Sequence, residues 1–231
     1  LLLIPAALLV RRPPVAATGD GARGAPAATD AAGFSAGQAL RSPQFMVLAG
    51  TFFCCCAAHS GPIFHMVSYA IGCGIPAMAA VSIYSLEGLS GLGGRLLLGV
   101  LADRLGVKPV LVTGLLVQAL AIACYLFVNR LGEFYALSLV FGTAYGGVMP
   151  LYAVLAREYF GARIMGTVLG AATMASSLGM ASGPVIGGWV FDTFNAYNWL
   201  YVGSATVGLA AAAIALAFPP LPSRRARLQP A

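Results

Sequence analysis

The chain has 231 residues, of which 59% are hydrophobic and only 9% are charged, and its formal net charge is +6. Soluble domains are about 45–50% apolar and about 25% charged, so this composition excludes an ordinary water-soluble globule and an intrinsically disordered chain. The mean hydropathy of +0.86 is instead typical of an all-α membrane protein that crosses the bilayer several times.

The first predicted element is an apolar stretch at 1–10, which is followed by Arg11 and Arg12, and position 1 is not a methionine. A secretory signal carries its basic residues before its apolar stretch, and here the order is reversed. We therefore expect residues 1–10 to be the truncated end of a spanning helix in a fragment of a longer protein. Residues 11–43 are rich in Pro, Gly and Ala and are typical of a cytoplasmic linker.

The next region, 44–218, contains six apolar segments of the length that a spanning helix needs, about 20 residues. Turn-forming residues separate the first two segments, and charged residues separate most of the others. Residues 219–231 are short and polar and are expected to form a cytoplasmic tail. The predicted helices are 45–70, 77–101, 109–129, 134–156, 164–190 and 197–218.

The basic residues indicate how these helices are oriented. If the linker is cytoplasmic, every Lys and Arg lies on the cytoplasmic side except Arg95, which is inside a span, and Arg130, which is on the opposite side. This excess of positive charge on one side is the pattern that sets topology in membrane proteins. It predicts a multi-pass protein of the cell (inner) membrane, in contact with the lipid bilayer, and it explains the net charge without a nucleic-acid partner.

A short motif follows the second predicted helix and includes Gly99, Asp103, Arg104, Gly106 and Lys108. Gly99 lets two helices approach closely, and Gly106 permits a tight reversal. Asp103 can accept hydrogen bonds from a neighbouring helix N-terminus, while the two basic residues hold the loop at the cytoplasmic face. We interpret the motif as a conformational latch, and the alternative is a topology anchor with a tight turn.

The segment 99–108 resembles the loop signature of the major facilitator superfamily, with Val107 where a basic residue is usual. Stretches at 142–147 and 158–163 resemble the C-terminal half of bacterial monocarboxylate porters and oxalate/formate antiporters. The resemblance implies a fold of two six-helix halves, with the missing N-terminal half, or a second copy, as partner. It also implies alternating access, driven by a transmembrane proton or ion gradient without a bound cofactor.

Glu87 and Arg95 are the only acidic or basic residues inside the predicted spans, histidine aside. An ionised side chain at mid-membrane costs about 2.5–3.5 kcal/mol, so each needs a cavity or a partner. By resemblance, Arg95 stands where such porters carry an arginine that is proposed to engage the substrate carboxylate; a structural ion pair is the alternative. Glu87 suits a proton-coupling role, because a carboxyl in apolar surroundings takes up a proton readily; a neutral packing residue is the alternative.

Three further side chains are candidates for the transport path. His65 suits a proton relay, since histidine titrates near neutral pH, although a polar residue near the interface would look the same. Tyr145 and Tyr152 lie in the fourth predicted helix, where their hydroxyls are predicted to bind substrate, the alternative being packing tyrosines. No metal site is predicted, because the three consecutive cysteines at 54–56 point about 100° apart on a helix.

The sequence therefore predicts a secondary transporter of a small organic anion, most simply a monocarboxylate, working by proton symport or anion exchange. Two alternatives stay open: the same superfamily with a drug, sugar or amino-acid cargo, and a non-transporting half-length membrane fragment. An enzyme is not expected, because the sequence shows no nucleophile–base pair and no phosphate-binding loop after a strand.

Overall fold

The structure is a computed structural model, and it describes residues 35–219. Every element in this range is helical, which confirms the all-α class. The predicted helix end at 1–10, the linker before residue 35 and the tail from residue 220 lie outside the described residues. The helices are α1 (Ala36–Leu40), α2 (Pro43–Gly72), α3 (Ala77–Leu105), α4 (Val107–Cys124), α5 (Leu131–Phe194) and α6 (Asn198–Leu216), and a 3-10 turn, Tyr125–Phe127, follows α4.

Serine caps determine where the first two helices begin. The Ser35 side chain accepts a hydrogen bond from the Gln38 N–H, and the Gln38 side chain accepts one from the Ser35 N–H, so the short α1 is closed by a reciprocal capping box. The Ser42 hydroxyl accepts a 3.2 Å bond from the Phe45 N–H at the start of α2. The predicted linker therefore contains one turn of helix at its end, and α2 begins slightly before the predicted residue 45.

α5 differs most from the sequence-based expectation, because it runs through the predicted loop at 157–163. Gly161, with φ 74° and ψ 172°, is the only non-helical residue inside it. This backbone conformation is one that glycine adopts without a steric penalty. Gly161 divides α5 into a first arm, 131–160, and a second arm, 162–194, so the two helices predicted here are both longer than expected.

Within residues 35–219, four helices are long and apolar enough to cross a membrane: Pro43–Gly72, Val107–Phe127, Leu131–Phe194 and Asn198–Leu216. Each arm of α5 has about 30 residues, or about 45 Å of helix, which exceeds the thickness of the hydrocarbon core. α3 is equally long but is the least apolar of the long helices, since it carries Glu87, Arg95, Asp103 and Arg104. α3 therefore has the length of a membrane-spanning helix but is less apolar than the four helices named above.

Glycines bring α3 and the first arm of α5 into backbone contact. A Cβ atom added to Gly146 would lie 2.5 Å from the Cα of Gly91, and one added to Gly94 would overlap the carbonyl group of Thr143. Glycine is the residue that permits this approach. Gly99, for which the sequence predicted close packing, has no other atom within 4 Å of the Cβ position among the described residues. The close approach therefore lies one to two turns earlier on α3.

Candidate functional site

Arg95 lies on α3, ten residues and about 15 Å of helix before Leu105. The side chain is exposed, and its neighbours Leu92 and Leu96 are 58% and 72% exposed. This side of α3 therefore packs against nothing in the described part of the chain. The opposite stripe of α3 is buried against other helices and consists of Ala80, Ile83, Glu87, Ser90, Gly91, Gly94, Leu98 and Ala102.

Tyr145 of α5 approaches α3 one helical turn before Arg95. The Cβ position of Gly91 is 3.6 Å from the Tyr145 hydroxyl oxygen and 3.3 Å from the Gly142 carbonyl oxygen. The absence of a side chain at Gly91 therefore leaves room for that hydroxyl. Arg95 and Glu87 both lie within electrostatic reach of Tyr145. The structure thus brings together two of the predicted site residues, Arg95 and Tyr145, at the edge where α3 meets α5.

Glu87 faces the interior of the bundle, unlike Arg95. Its side chain is 1% exposed, and neither carboxylate oxygen has a hydrogen-bond partner among the described residues. Eight residues of helix separate Glu87 and Arg95 by two turns plus about 80°, which explains how one is buried and the other exposed. Tyr125, Tyr145 and Tyr201 are close enough to Glu87 to interact with it electrostatically.

Tyr152 lies two turns beyond Tyr145 and is packed in the core. Its hydroxyl donates a 3.4 Å hydrogen bond to the Thr51 carbonyl oxygen, and its ring stacks on Phe52 with the centroids 4.1 Å apart. The side chain is 1% exposed. These contacts match the alternative interpretation of Tyr152, in which it is a packing residue. The structure does not bring Tyr152 close to Arg95.

His65 is on α2, and its side chain contacts the second arm of α5. Its Nε2 atom is 3.4 Å from the Pro184 carbonyl oxygen, and its ring is 5.1 Å from the ring of Tyr197. The side chain is partly buried. His65 is therefore close to the end of the bundle at which α2 ends and α6 begins, as the sequence predicted, and it contacts the chain at Pro184 rather than at Glu87.

The predicted latch loop is a single-residue connection. Gly106, with φ 93°, links Leu105 of α3 directly to Val107 of α4. Asp103 and Arg104 are exposed just before this turn. The next basic residue has a partner within the chain: Lys108 Nζ donates a 3.0 Å hydrogen bond to the Leu216 carbonyl oxygen and another to that of Phe218.

A buried polar cluster in the middle of α2 was not predicted. Cys55 Sγ is 3.7 Å from Gln118 Oε1 and 3.9 Å from His59 Nδ1, and Gln118 Nε2 donates to the Cys55 carbonyl oxygen at 3.4 Å. The His59 ring is 5.3 Å from Tyr145. The sequence signal that could have indicated this cluster is Gln118, an amide side chain in an otherwise apolar segment. Within residues 35–219, no three His, Cys, Asp or Glu side chains are grouped as a metal site.

The chain that carries this site matches a known protein family over its whole length. The family model described as Major Facilitator Superfamily matches residues 1–184 and 90–231, which together include the whole chain. The chain belongs to the major facilitator superfamily. Members of this superfamily are membrane transporters rather than enzymes, in agreement with the sequence-based expectation of a transporter.

Individual superfamily relatives are distant and much longer. Monocarboxylate transporter 12-B of Danio rerio is 28% identical over 163 residues, which are 69% of this chain and 34% of the relative. The 3-(3-hydroxy-phenyl)propionate transporter of Escherichia coli K12 is 33% identical over 67% of this chain and 38% of its own length. A bicyclomycin resistance protein homolog of Haemophilus influenzae is 32% identical over 52% of this chain and 30% of its own length. The chain thus spans about a third of these relatives.

A solved superfamily structure confirms the fold. The crystal structure of a variant of the Escherichia coli fucose:proton symporter FucP superposes with a TM-score of 0.63 at 16% sequence identity. The superposition covers 82% of this chain and 44% of the symporter. At this identity the similarity concerns the arrangement of the helices alone.

Proposed function

We propose that this chain forms one half of a secondary transporter that moves a small organic anion, most simply a monocarboxylate. The observation that carries the proposal is Arg95, a cation in the interior of a long helix that is exposed on the unpacked side of α3, one helical turn from Gly91, where the Tyr145 hydroxyl approaches the helix. A guanidinium group binds a carboxylate through two parallel N–H donors, and a phenol can add a third.

The charge of Arg95 also indicates what covers this side of α3. Facing acyl chains would cost an arginine about 2.5–3.5 kcal/mol, so the surface suits water or protein better than lipid. We infer that the exposed side of α3 faces a central cavity, completed by an N-terminal six-helix half or by a second copy of the chain. In this arrangement the linker and tail are cytoplasmic, and the protein lies in the inner membrane.

Proton symport needs a titratable side chain that couples substrate movement to the transmembrane proton gradient. The candidates are Glu87 and His65. Either would take up a proton in one state and release it in the other, giving proton symport; without such a step the same site performs anion exchange. The loop 99–108 would bias the two states, with Asp103 and Arg104 free to contact the other half and Lys108 fixed to α6. No bound cofactor enters the mechanism.

Two of the relatives support an anionic substrate. Their names specify a monocarboxylate and a hydroxyphenylpropionate, and both molecules carry a carboxylate. A drug is the second candidate cargo, supported by the bicyclomycin resistance relative. A drug without an anionic group would leave Arg95 without a partner. Transport of a carboxylate should therefore depend on Arg95, and transport of such a drug should not.

The test is uptake of labelled lactate into vesicles that contain the protein at its natural length, comparing wild type with Arg95→Ala and Arg95→Lys. Loss of hydrogen bonds to a charged group, worth about 1.5–3 kcal/mol, predicts an uptake decrease of roughly 10–100-fold in Arg95→Ala. Arg95→Lys should retain part of the activity. Membrane insertion, measured by immunoblot, should be unchanged. Normal lactate uptake by Arg95→Ala would overturn the assignment, and inhibition by drugs but not by carboxylates would favour the second cargo.

A further inference from the structure

The buried polar cluster on α2 places two potential metal ligands around a third, the thiol of Cys55. The Cys55 sulfur lies 3.9 Å from His59 Nδ1 and 3.7 Å from Gln118 Oε1. The side chains of Cys55 and Gln118 are 0% exposed, and that of His59 is 1% exposed. A thiol sulfur, an imidazole nitrogen and an amide oxygen therefore meet in the interior of the bundle.

The helical geometry of α2 and its packing against α4 produce this arrangement. Cys55 and His59 are four residues apart, so they lie on the same side of α2, one turn from each other. Cys54 and Cys56 point about 100° away on either side of Cys55. Gln118 comes from α4, and its Nε2 atom donates a 3.4 Å hydrogen bond to the Cys55 carbonyl oxygen. This bond holds the amide with its oxygen toward the thiol, so the cluster uses one of the three consecutive cysteines.

The distances within the cluster suit a metal ion that lies between the donors. Zinc lies about 2.3 Å from a thiolate sulfur and about 2.0 Å from nitrogen or oxygen, which separates the sulfur from the second donor by about 3.5 Å at a tetrahedral angle and by about 4.3 Å when linear. The observed separations of 3.9 Å to His59 Nδ1 and 3.7 Å to Gln118 Oε1 both fall within this interval. An ion with similar bond lengths therefore fits with small movements of the side chains.

The charge and the chemistry of the donors favour Cu⁺ over Zn²⁺. A thiolate is a soft ligand that selects Cu⁺, and imidazole also binds copper. Histidine and glutamine bind as neutral ligands, so the Cys55 thiolate supplies the one negative charge of the cluster. A Cu⁺ ion on one thiolate is neutral overall, whereas Zn²⁺ would leave a costly positive charge in an apolar interior. Residues 35–219 contain no group of three His, Cys, Asp or Glu that could neutralise a divalent ion.

We propose that Cys55, His59 and Gln118 form a binding site for a soft monovalent metal ion, Cu⁺, that joins α2 to α4. On binding, the S–H bond of Cys55 breaks, the sulfur bonds to Cu⁺ and the proton passes to water, while copper keeps its oxidation state. His59 contributes the lone pair of Nδ1, and Gln118 contributes its amide oxygen. The site is independent of the proposed cargo and of Arg95.

Tyr145 lies between this cluster and the edge where α3 meets α5. The His59 ring is 5.3 Å from the Tyr145 ring, with an angle of 35° between the two planes. Tyr145 is half-buried, and its hydroxyl oxygen is 3.6 Å from the Cβ position of Gly91, one turn from the exposed Arg95. A rotation of the Tyr145 side chain would therefore open a route to the cluster from the Arg95 side of α3.

The same contact connects metal binding to transport. An ion bound to Nδ1 fixes the orientation of the His59 ring, and the Tyr145 ring packs beside it. Because the proposed function assigns Tyr145 to the anion, a bound ion that restricts this side chain should inhibit transport. This effect rests on the proposed function, whereas the binding of the ion does not.

The test of binding uses Ag⁺, a soft monovalent ion that stands in for Cu⁺ and is stable in air. It is added in a chloride-free buffer to the purified protein at its natural length. One variant keeps Cys55 as its single cysteine, with serine at the other four positions, and the matched control keeps Cys56 instead. Calorimetry should show that the Cys55 variant binds one Ag⁺ at least about tenfold more tightly than the control, and that adding His59→Leu removes this difference. Equal affinities for the two single-cysteine variants would overturn the proposal.

X-ray absorption on wild type with one equivalent of Ag⁺ tests the site without any substitution. The ion should have one sulfur neighbour together with nitrogen or oxygen neighbours, as Cys55, His59 and Gln118 provide. An environment of sulfur atoms alone would mean that Ag⁺ binds between cysteines, and would overturn the proposal.

A transport assay separates this site from the proposed function. Uptake of labelled lactate into vesicles is measured with and without Ag⁺ for wild type, Cys55→Ser and Cys56→Ser. Ag⁺ should remove most of the uptake by wild type and by Cys56→Ser, and should spare Cys55→Ser. Equal inhibition of all three proteins would refute the effect of the site on transport. Absence of lactate uptake by wild type without Ag⁺ would instead refute the cargo, while calorimetry and X-ray absorption would still decide the metal site.

Discussion

The Lys108 ammonium group of α4 donates a 3.0 Å hydrogen bond to the carbonyl oxygen of Leu216, the last residue of α6. Carbonyl groups at a helix C-terminus lack partners within the helix and carry partial negative charge, so a lysine there satisfies and neutralises them. A residue of the predicted latch therefore joins two helices of the same bundle, while its neighbours Asp103 and Arg104 stay exposed.

Removing the Lys108 contact should lower the stability of the helix bundle and leave the proposed anion site at Arg95 intact. For Lys108→Met we expect a loss of about 1–2 kcal/mol, from the charge-assisted bonds to Leu216 and Phe218. The thermal midpoint in detergent should fall by about 2–8 °C, and Lys108→Arg should recover part of it. An unchanged midpoint in Lys108→Met would show that these contacts do not stabilise the protein.

The glycine contact between α3 and α5 gives a matched pair of substitutions. Gly94→Ala places a methyl group onto the carbonyl group of Thr143, whereas Gly93→Ala places it in open space on the neighbouring face of α3. Overpacking costs about 1–3 kcal/mol, so Gly94→Ala should lower the midpoint by several degrees. Gly93→Ala should leave it level or raise it, because alanine is the better helix former. Equal midpoints for the two variants would contradict the backbone contact.

The break in α5 depends on the positive φ of Gly161. An alanine at this position would have to hold a backbone conformation that is essentially confined to glycine, at a cost of about 1–3 kcal/mol, or the angle between the two arms would change. Gly161→Ala should therefore reduce both thermal stability and transport. Gly166→Ala, in the helical second arm with open space at the Cβ position, is the control and should behave as wild type. A fully active and stable Gly161→Ala would mean that the break is dispensable.

Tyr145 and Tyr152 should separate into a substrate-binding and a packing residue. Tyr145→Phe removes a hydroxyl close to α3 and Arg95, so the apparent KM for lactate should rise. Tyr152→Phe removes a hydrogen bond to Thr51 in the core, so stability should fall by about 1 kcal/mol while KM stays constant. Concentration series of uptake together with thermal midpoints measure both quantities. A raised KM in Tyr152→Phe alone would reverse the assignment.

The sequence predicts the apolar helices well, because composition and turn residues are local signals. It did not predict that α5 continues through 157–163, because charged residues outside the hydrocarbon core are compatible with helix as well as with loop. A single residue, Gly161, breaks the helix at the place where a whole loop was expected.

Local sequence could not predict the different environments of Glu87 and Arg95, the two charged residues inside the predicted spans. Glu87 and Arg95 both sit among apolar residues, and only the position of α5 against α3 decides that one is enclosed and the other exposed. Tyr125 and Tyr201 escaped notice for a related reason. They are 76 positions apart, and tyrosine near the end of a spanning helix is ordinarily an interface residue.

In the proposed mechanism, Arg95 recognises the negative charge of the transported molecule. The most direct measurement is equilibrium binding of labelled lactate to the purified protein, displaced by unlabelled lactate or by lactamide, its uncharged amide. Wild type should bind lactate and reject lactamide, and Arg95→Gln should lose the distinction between them. Equal displacement by lactate and lactamide in wild type, or unchanged preference for lactate in Arg95→Gln, would contradict the claim.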